Sequence, residues 1–140
     1  MSDRFFLDTN IFVYAFDETA PIKSRGADDL IDEAITAHKG VVSYQVVQEF
    51  FNIAFKRFTP RKSLADAEQY LGVTFRPLLS VHSSQALYLE ALQLHSRWRL
   101  AWYDSLIVAA AIRADCDILY SEDLQHGQRF GGLEIVNPFL

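Results

Sequence analysis

Asp8, Glu49, Asp104 and Asp123 are the residues of this sequence best placed to do chemistry. Asp8 follows the apolar run Phe5-Phe6-Leu7, and Asp123 follows Ile118-Leu119-Tyr120 after two intervening residues. Both runs suit strands, and open α/β sheets bind ligands beyond the carboxyl ends of their strands. Asp104 lies at the start of an apolar helical stretch, where the helix dipole favours its charge and the side chain can point into the same crevice. Glu49 falls on the face that also carries Gln45, Ile53 and Lys56, not on the stripe centred on Val47, Phe51 and Phe55. Four carboxylates converging on one crevice repel one another unless something compensates. Divalent cations remove that conflict, and oxygen-only ligation suits magnesium or manganese. Such ions activate water and stabilise the leaving oxygen of a phosphodiester, and a two-metal arrangement sets them about 3.5–4 Å apart.

Each acid also has a plainer reading. Asp8 could end its strand through an Asx turn, and Asp104 could be an ordinary helix-start residue. Glu49 could be a solvated position on an amphipathic helix. Asp123, with Glu122 beside it, could belong to a loop. Only the joint placement on one crevice is informative.

The elements that must position these acids follow from the spacing of apolar residues. Phe5-Phe6-Leu7 reads as a first strand covered on both faces. Pro21 opens a helix carrying Ala27, Leu30, Ile31, Ala34 and Ile35, and Gly40 marks its end. Val41 to Tyr44 is a second strand, leading into a helix with Val47, Phe50, Phe51, Ala54, Phe55 and Phe58 at helical spacing. Ser63 caps a helix to Leu71, with Asp66 completing a capping-box pattern. Arg76 to Val81 is a third strand, and Ser83 or Ser84 caps the helix that runs through Leu94. A further helix spans Tyr103 to Ala114, followed by the strands Ile118 to Tyr120 and Leu133 to Val136. Strands alternating with helices give an α/β fold with a mainly parallel sheet.

A length of 140 residues fits one domain, residues 1–140. Half of the residues are hydrophobic, enough for a substantial core and against disorder. No apolar run approaches the roughly 20 residues that cross a bilayer, and the start MSDRFFLDTN lacks the pattern of a signal peptide. Cys116, the one cysteine, fits a reducing compartment. A cytoplasmic protein with no membrane partner is the expectation. The net charge of -5 argues at first against a nucleic-acid partner. An acidic pocket filled by cations, however, would look acidic in the sequence and nearly neutral in the working protein. Lys56-Arg57 and Arg61-Lys62 form a basic segment around Pro60 that could contact RNA phosphates. The alternative is a solvated helix end whose charges complement the dipole.

At the four acids the chain resembles the PIN-domain family, and especially the VapC-like toxins of bacterial toxin–antitoxin pairs. Phe6-Leu7-Asp8-Thr9-Asn10-Ile11 is similar to that family's opening strand with its first acid and supporting Asn. Val47-Gln48-Glu49-Phe50 resembles the segment carrying a Glu after the second strand. Tyr103-Asp104-Ser105-Leu106-Ile107-Val108-Ala109-Ala110-Ala111 is similar to the segment of the third acid. Leu119-Tyr120-Ser121-Glu122-Asp123-Leu124 resembles the stretch with a small hydroxyl residue and an acid two positions later, Ser121 standing where many members have Thr.

The resemblance runs the whole chain with all four motifs in order. It implies a Rossmann-like three-layer fold and a Mg2+- or Mn2+-dependent endoribonuclease, commonly a homodimer. It also implies an antitoxin partner that covers the site or inserts a basic residue into it. Asp8, Glu49, Asp104 and Asp123 would be catalytic and hold one or two ions, with Asn10 and Ser121 orienting ligands and water. RNA cleavage by activated water would leave a 5′-phosphate and a 3′-hydroxyl. Two other readings compete. One is a catalytically silent PIN-like module that binds RNA or protein, disfavoured because no acid is missing. The other is a phosphohydrolase with Asp8 as nucleophile, which would need a second Asp where Asn10 stands.

Overall fold

The computed structural model describes residues 2–140. Six strands form one sheet: β1 (Phe5–Leu7), β2 (Gly40–Ser43), β3 (Leu79–Val81), β4 (Ile118–Tyr120), β5 (Arg129–Phe130) and β6 (Leu133–Val136). Their spatial order is β3-β2-β1-β4-β6-β5, and every pairing is parallel except that of β5 with β6. The helices are α1 (Thr9–Tyr14), α2 (Pro21–Thr36), α3 (Tyr44–Arg57), α4 (Leu64–Tyr70), α5 (Gln85–Trp98) and α6 (Trp102–Arg113). The chain steps outward from β1 to β2 and β3, then returns across the sheet to β4. Right-handed crossovers therefore put α1 to α4 on one face and α5 and α6 on the other. Packing agrees, because α1 contacts α2 and α3 while α5 contacts α6. The result is the expected α/β fold with a mainly parallel central sheet between helices.

β1 is buried along its whole length because it lies mid-sheet with helices on both faces, and register with β4 pairs Phe6 with Leu119. On the α3 face, Phe50 fills the core against Phe12, Phe75 and Tyr70, stacking on Tyr70 at a centroid distance of 5.1 Å. The buried line of α3 is thus Val46, Phe50 and Ala54, one position off the stripe that spacing suggested, and Phe55 is half exposed. On the other face α6 is buried from Ser105 to Ala111 without interruption. It is a helix apolar all round, as one enclosed between a sheet and a second helix must be. No helix among the described residues is long and apolar enough to cross a membrane.

Several boundaries differ from the sequence reading, each for a local reason. The segment after Asp8 turns at once into α1, because the Asp8 side chain accepts from the Thr9 backbone N–H and caps a new helix. Helix α2 ends at Thr36, with His38 rather than glycine in the left-handed conformation. Gly40 instead opens β2, where any side chain would collide: a Cβ there would sit 2.2 Å from the Ala34 Cβ. The Ser63–Asp66 capping box is present, but α4 passes into a π-helical turn (Leu71–Phe75), which leaves β3 to start at Leu79 rather than Arg76. The two-residue β5 escaped notice because it is shorter than any periodicity can register.

Gly40→Ala is therefore expected to destabilise the protein by roughly 1–3 kcal/mol through overpacking against the Ala34 backbone. Gly72→Ala, whose Cβ would meet nothing within 4 Å, is expected to be neutral or to stabilise by roughly 0.5–1 kcal/mol. Urea unfolding of the two variants beside the parent measures both, and equal midpoints would refute the steric account of Gly40.

Candidate functional site

The direction of chain progression reverses between β1 and β4. Connections from β1 run one way across the sheet and those around β4 the other, which opens a crevice at the carboxyl ends of these two strands. Asp8 leaves β1 there, and Ser121-Glu122-Asp123 leave β4 beside it, the two segments tied by a bond from the Asp8 N–H to the Tyr120 carbonyl at 3.0 Å. Glu49 reaches the crevice from the second turn of α3, and Asp104 from the first turn of α6. All four acids line one open pocket of about 290 Å³, together with Thr9, Asn10 and Gln45. The plainer reading of Asp104 holds at the same time, since it occupies the first turn of α6, whereas Asp8 caps α1 rather than forming an Asx turn.

Each of three acids is held by a neutral donor. Ser121, itself fully buried, donates to Asp8 Oδ2 at 2.8 Å, and the Thr9 N–H donates to Asp8 Oδ1 at 2.7 Å. The Ser121 hydroxyl also accepts from the backbone N–H groups of Asp123 and Leu124, both at 3.3 Å, which folds the loop back on Asp8. Asn10 donates to Asp123 Oδ2 at 2.8 Å. Thr9 Oγ1 donates to Glu49 Oε1 at 2.6 Å. Asn10 and Ser121 thus each donate to an acid of the pocket. The contacts of Thr9 and Gln45 carry only a weak sequence signal: Thr9 follows the first acid directly, and Gln45 lies one helical turn before Glu49.

Glu122 is not an idle loop residue. It accepts from the Tyr14 hydroxyl at 2.5 Å and pairs with Lys23 at 2.8 Å, and both interactions hold its carboxyl below the usual range. The basic segment lies apart from the acids. Lys56, Arg57 and Arg61 are exposed, and Lys62 sits over the Phe16 ring at 4.1 Å. Arg57 borders a neighbouring cavity that meets the acidic pocket at Ile53. Cys116 is buried and its thiol pushed up to about 12 by that burial, so it is chemically inert.

Electrostatics single out Asp8, which is only 8% exposed. Burial pushes its carboxyl up to about 6 against the pull of Ser121 and Thr9, and the charges of Glu49 and Asp123 push the same way. Asp104 is raised too, first by burial and then by Asp123 and Glu49. Among the described residues no basic side chain lines this pocket. The side-chain donors that line it toward a cation are carboxylate, amide and hydroxyl oxygens, with neither sulfur nor imidazole among the described residues, a set that fits magnesium or manganese. Among the described residues no group of three or more His, Cys, Asp or Glu side chains forms a ready-made cage.

The Asp8 shift has a definite sign. Its carboxyl titrates near 6 when folded and near 3.8 when unfolded, so the unfolded chain releases the proton first as pH rises. Cation-free stability contributed at this position is present below about pH 4 and lost by about pH 6, a change on the order of 3 kcal/mol. Asp8→Asn removes the titration. In EDTA, the stability of this variant relative to the parent is expected to rise between pH 4 and 7, as followed by urea unfolding. A difference that does not vary with pH would mean that Asp8 ionises without penalty.

The comparisons with known proteins agree with this architecture. A toxin–antitoxin complex from Klebsiella pneumoniae is similar in structure, with 20% identity, 95% of this chain and 96% of that chain covered, and a TM-score of 0.66. So is the sarcin–ricin-loop-cleaving VapC toxin of Mycobacterium tuberculosis, at 18% identity, 85% and 89% coverage and a TM-score of 0.62. A VapBC complex from Rickettsia felis, bound to a promoter DNA fragment, matches at 17% identity, 94% and 96% coverage and a TM-score of 0.60. Among curated proteins no sequence match is found. The family profile described as PIN domain matches residues 5–129, a span that runs from the first residue of β1 to the first of β5 and takes in all four acids, and the chain belongs to the PIN-domain family.

Proposed function

We propose that this protein is a divalent-cation-dependent endoribonuclease and the toxin of a toxin–antitoxin pair. The observation that carries the reading is the buried carboxyl of Asp8 in a pocket shared with Glu49, Asp104 and Asp123 and lined by no basic residue. Such a pocket is in electrostatic conflict until a cation enters it. These four residues would hold Mg2+ or Mn2+. When bound, the ion supplies Lewis-acid polarisation of the scissile phosphate and a lowered pKa for water.

The remaining work falls to the protein's own groups. Ser121 and the Thr9 N–H fix both oxygens of Asp8, and Asn10 fixes Asp123, so these two carboxylates are held in orientation before any ligand arrives. Lys56, Arg57, Arg61 and Lys62 would meet backbone phosphates of an RNA entering along the outer face of α3. Arg57 is the nearest of them by its cavity, which adjoins the acidic pocket.

The toxin reading draws on the architecture shared with toxin–antitoxin complexes and with a toxin that cleaves the sarcin–ricin loop. The cognate antitoxin is expected to cover the acidic pocket or to place a basic side chain in it. A homodimer in the cytoplasm is the expected working form.

Purified protein incubated with a mixed RNA pool tests the chemistry. Cleavage is expected with Mg2+ or Mn2+, to stop in EDTA, and to be lost in Asp8→Asn combined with Asp104→Asn, leaving products with 5′-phosphates and 3′-hydroxyls. Cleavage that survives both EDTA and the substitutions would overturn the carboxylate mechanism. Inactivity of folded, cation-loaded protein toward every RNA offered would favour a silent binding module.

A further inference from the structure

Gln45 is a buried polar residue of the pocket that the four-acid reading leaves without a task. It is 5% exposed, on α3 one turn before Glu49, and borders the same pocket as the acids. A buried amide in such a place needs partners for its nitrogen and its oxygen. Its Nε2 donates to Glu49 Oε2 at 3.4 Å and to the backbone carbonyl of Tyr103 at 3.3 Å. Both partners are acceptors, so the network settles which end of the amide carries the N–H groups. The sealed side-chain atom without a partner among the described residues is a different one, Ser43 Oγ.

The two contacts join different elements. Helix α3 packs mainly on α1 and β2, and α6 on α5, β2 and β4, so neither helix is seated chiefly on the other. Glu49 belongs to α3, whereas Tyr103 precedes Asp104 on α6. Thr9 already holds the other oxygen of Glu49 at 2.6 Å. With Thr9 on Oε1 and Gln45 on Oε2, the Glu49 carboxylate is held at both oxygens, and one amide sets the spacing between the helices that carry Glu49 and Asp104. Bonds of 3.3–3.4 Å are long, as polar contacts in ligand-free sites often are before a ligand tightens them.

We infer that Gln45 is a positioning residue that orients Glu49 against α6. This rests on the reading of the pocket as a cation site, and the test separates the two. Mn2+ binding to the full-length protein, read as loss of the free-ion signal in electron paramagnetic resonance, is measured for Gln45→Met, Glu49→Gln and the double variant. Methionine keeps the volume and removes the amide. Gln45→Met and Glu49→Gln are each expected to weaken Mn2+ binding on the order of tenfold. The double variant should be little weaker than Glu49→Gln alone, because Gln45 acts largely through Glu49. With RNA, the loss should fall on kcat rather than KM.

Gln45→Asn, which keeps the amide but is one methylene short, is the second variant should Gln45→Met fail to fold, and it is expected to weaken binding in the same direction. Unchanged Mn2+ affinity in a folded Gln45 variant, with Glu49→Gln still impaired, overturns the role of Gln45 alone. Fully multiplicative losses in the double variant overturn the coupling through Glu49. Unchanged affinity in Glu49→Gln overturns the cation reading of Glu49 and the inference with it.

Discussion

A carboxyl group removed from water is the constraint around which this end of the molecule is organised. Asp8 leaves a strand buried on both faces, at the point where the sheet reverses its direction of progression, so its side chain has little solvent to retreat to. Burying an ionised group is tolerated only where hydrogen bonds or opposite charge compensate. Hydrogen bonds are supplied by Ser121 and the Thr9 N–H. Opposite charge is not supplied by any side chain of the pocket, and the adjoining residues are further acids. Burial and the neighbouring acids thus make the Asp8 carboxyl resist ionisation, and a divalent cation is the proposed complement.

Helix α1 is the part that keeps this arrangement from springing apart. Though it has six residues, it places Thr9 on Glu49, Asn10 on Asp123 and Tyr14 on Glu122, which fastens α3 on one side and the loop after β4 on the other. Asn10 and Tyr14 lie one turn apart and take neighbouring acids of that loop, a match between helical repeat and loop spacing. Lys23 of α2 completes the outer contact with Glu122 at 2.8 Å, on a surface where an ion pair by itself adds little stability. The value of the outer contact is geometric, because it anchors the residue next to Asp123.

Much of the sheet was legible in the sequence. Apolar runs such as Phe5-Phe6-Leu7 and Ile118-Leu119-Tyr120 can be satisfied only by burial on both faces, and each became a strand at those bounds. Asp8 and Asp123 stood out because each comes after such a run and Asp104 because it begins a helix, whereas Glu49 lies within α3. The structure brings all four to one pocket. What the sequence hid was set by tertiary contact. Gly40 looked like a helix stop, but its reason is the close approach of the Ala34 Cβ and Cα. Gln45 looked like one more polar position on a helix, and only the approach of Tyr103 from a distant segment gives its amide a second partner. Glu122 looked like a loop residue because Tyr14 and Lys23, which hold it, lie about a hundred positions earlier along the chain.

The ends of the sheet carry a consequence for association. β5, at one margin, has two residues, and β3, at the other, has three with a register irregularity against β2. Short, irregular margins present few unpaired backbone groups and discourage pairing with another chain. A protein that tried to bind by lending a strand would find purchase for a turn's length and no more. Recognition of this molecule by another is thereby pushed onto its helical faces, where side-chain identity rather than backbone pattern decides who binds.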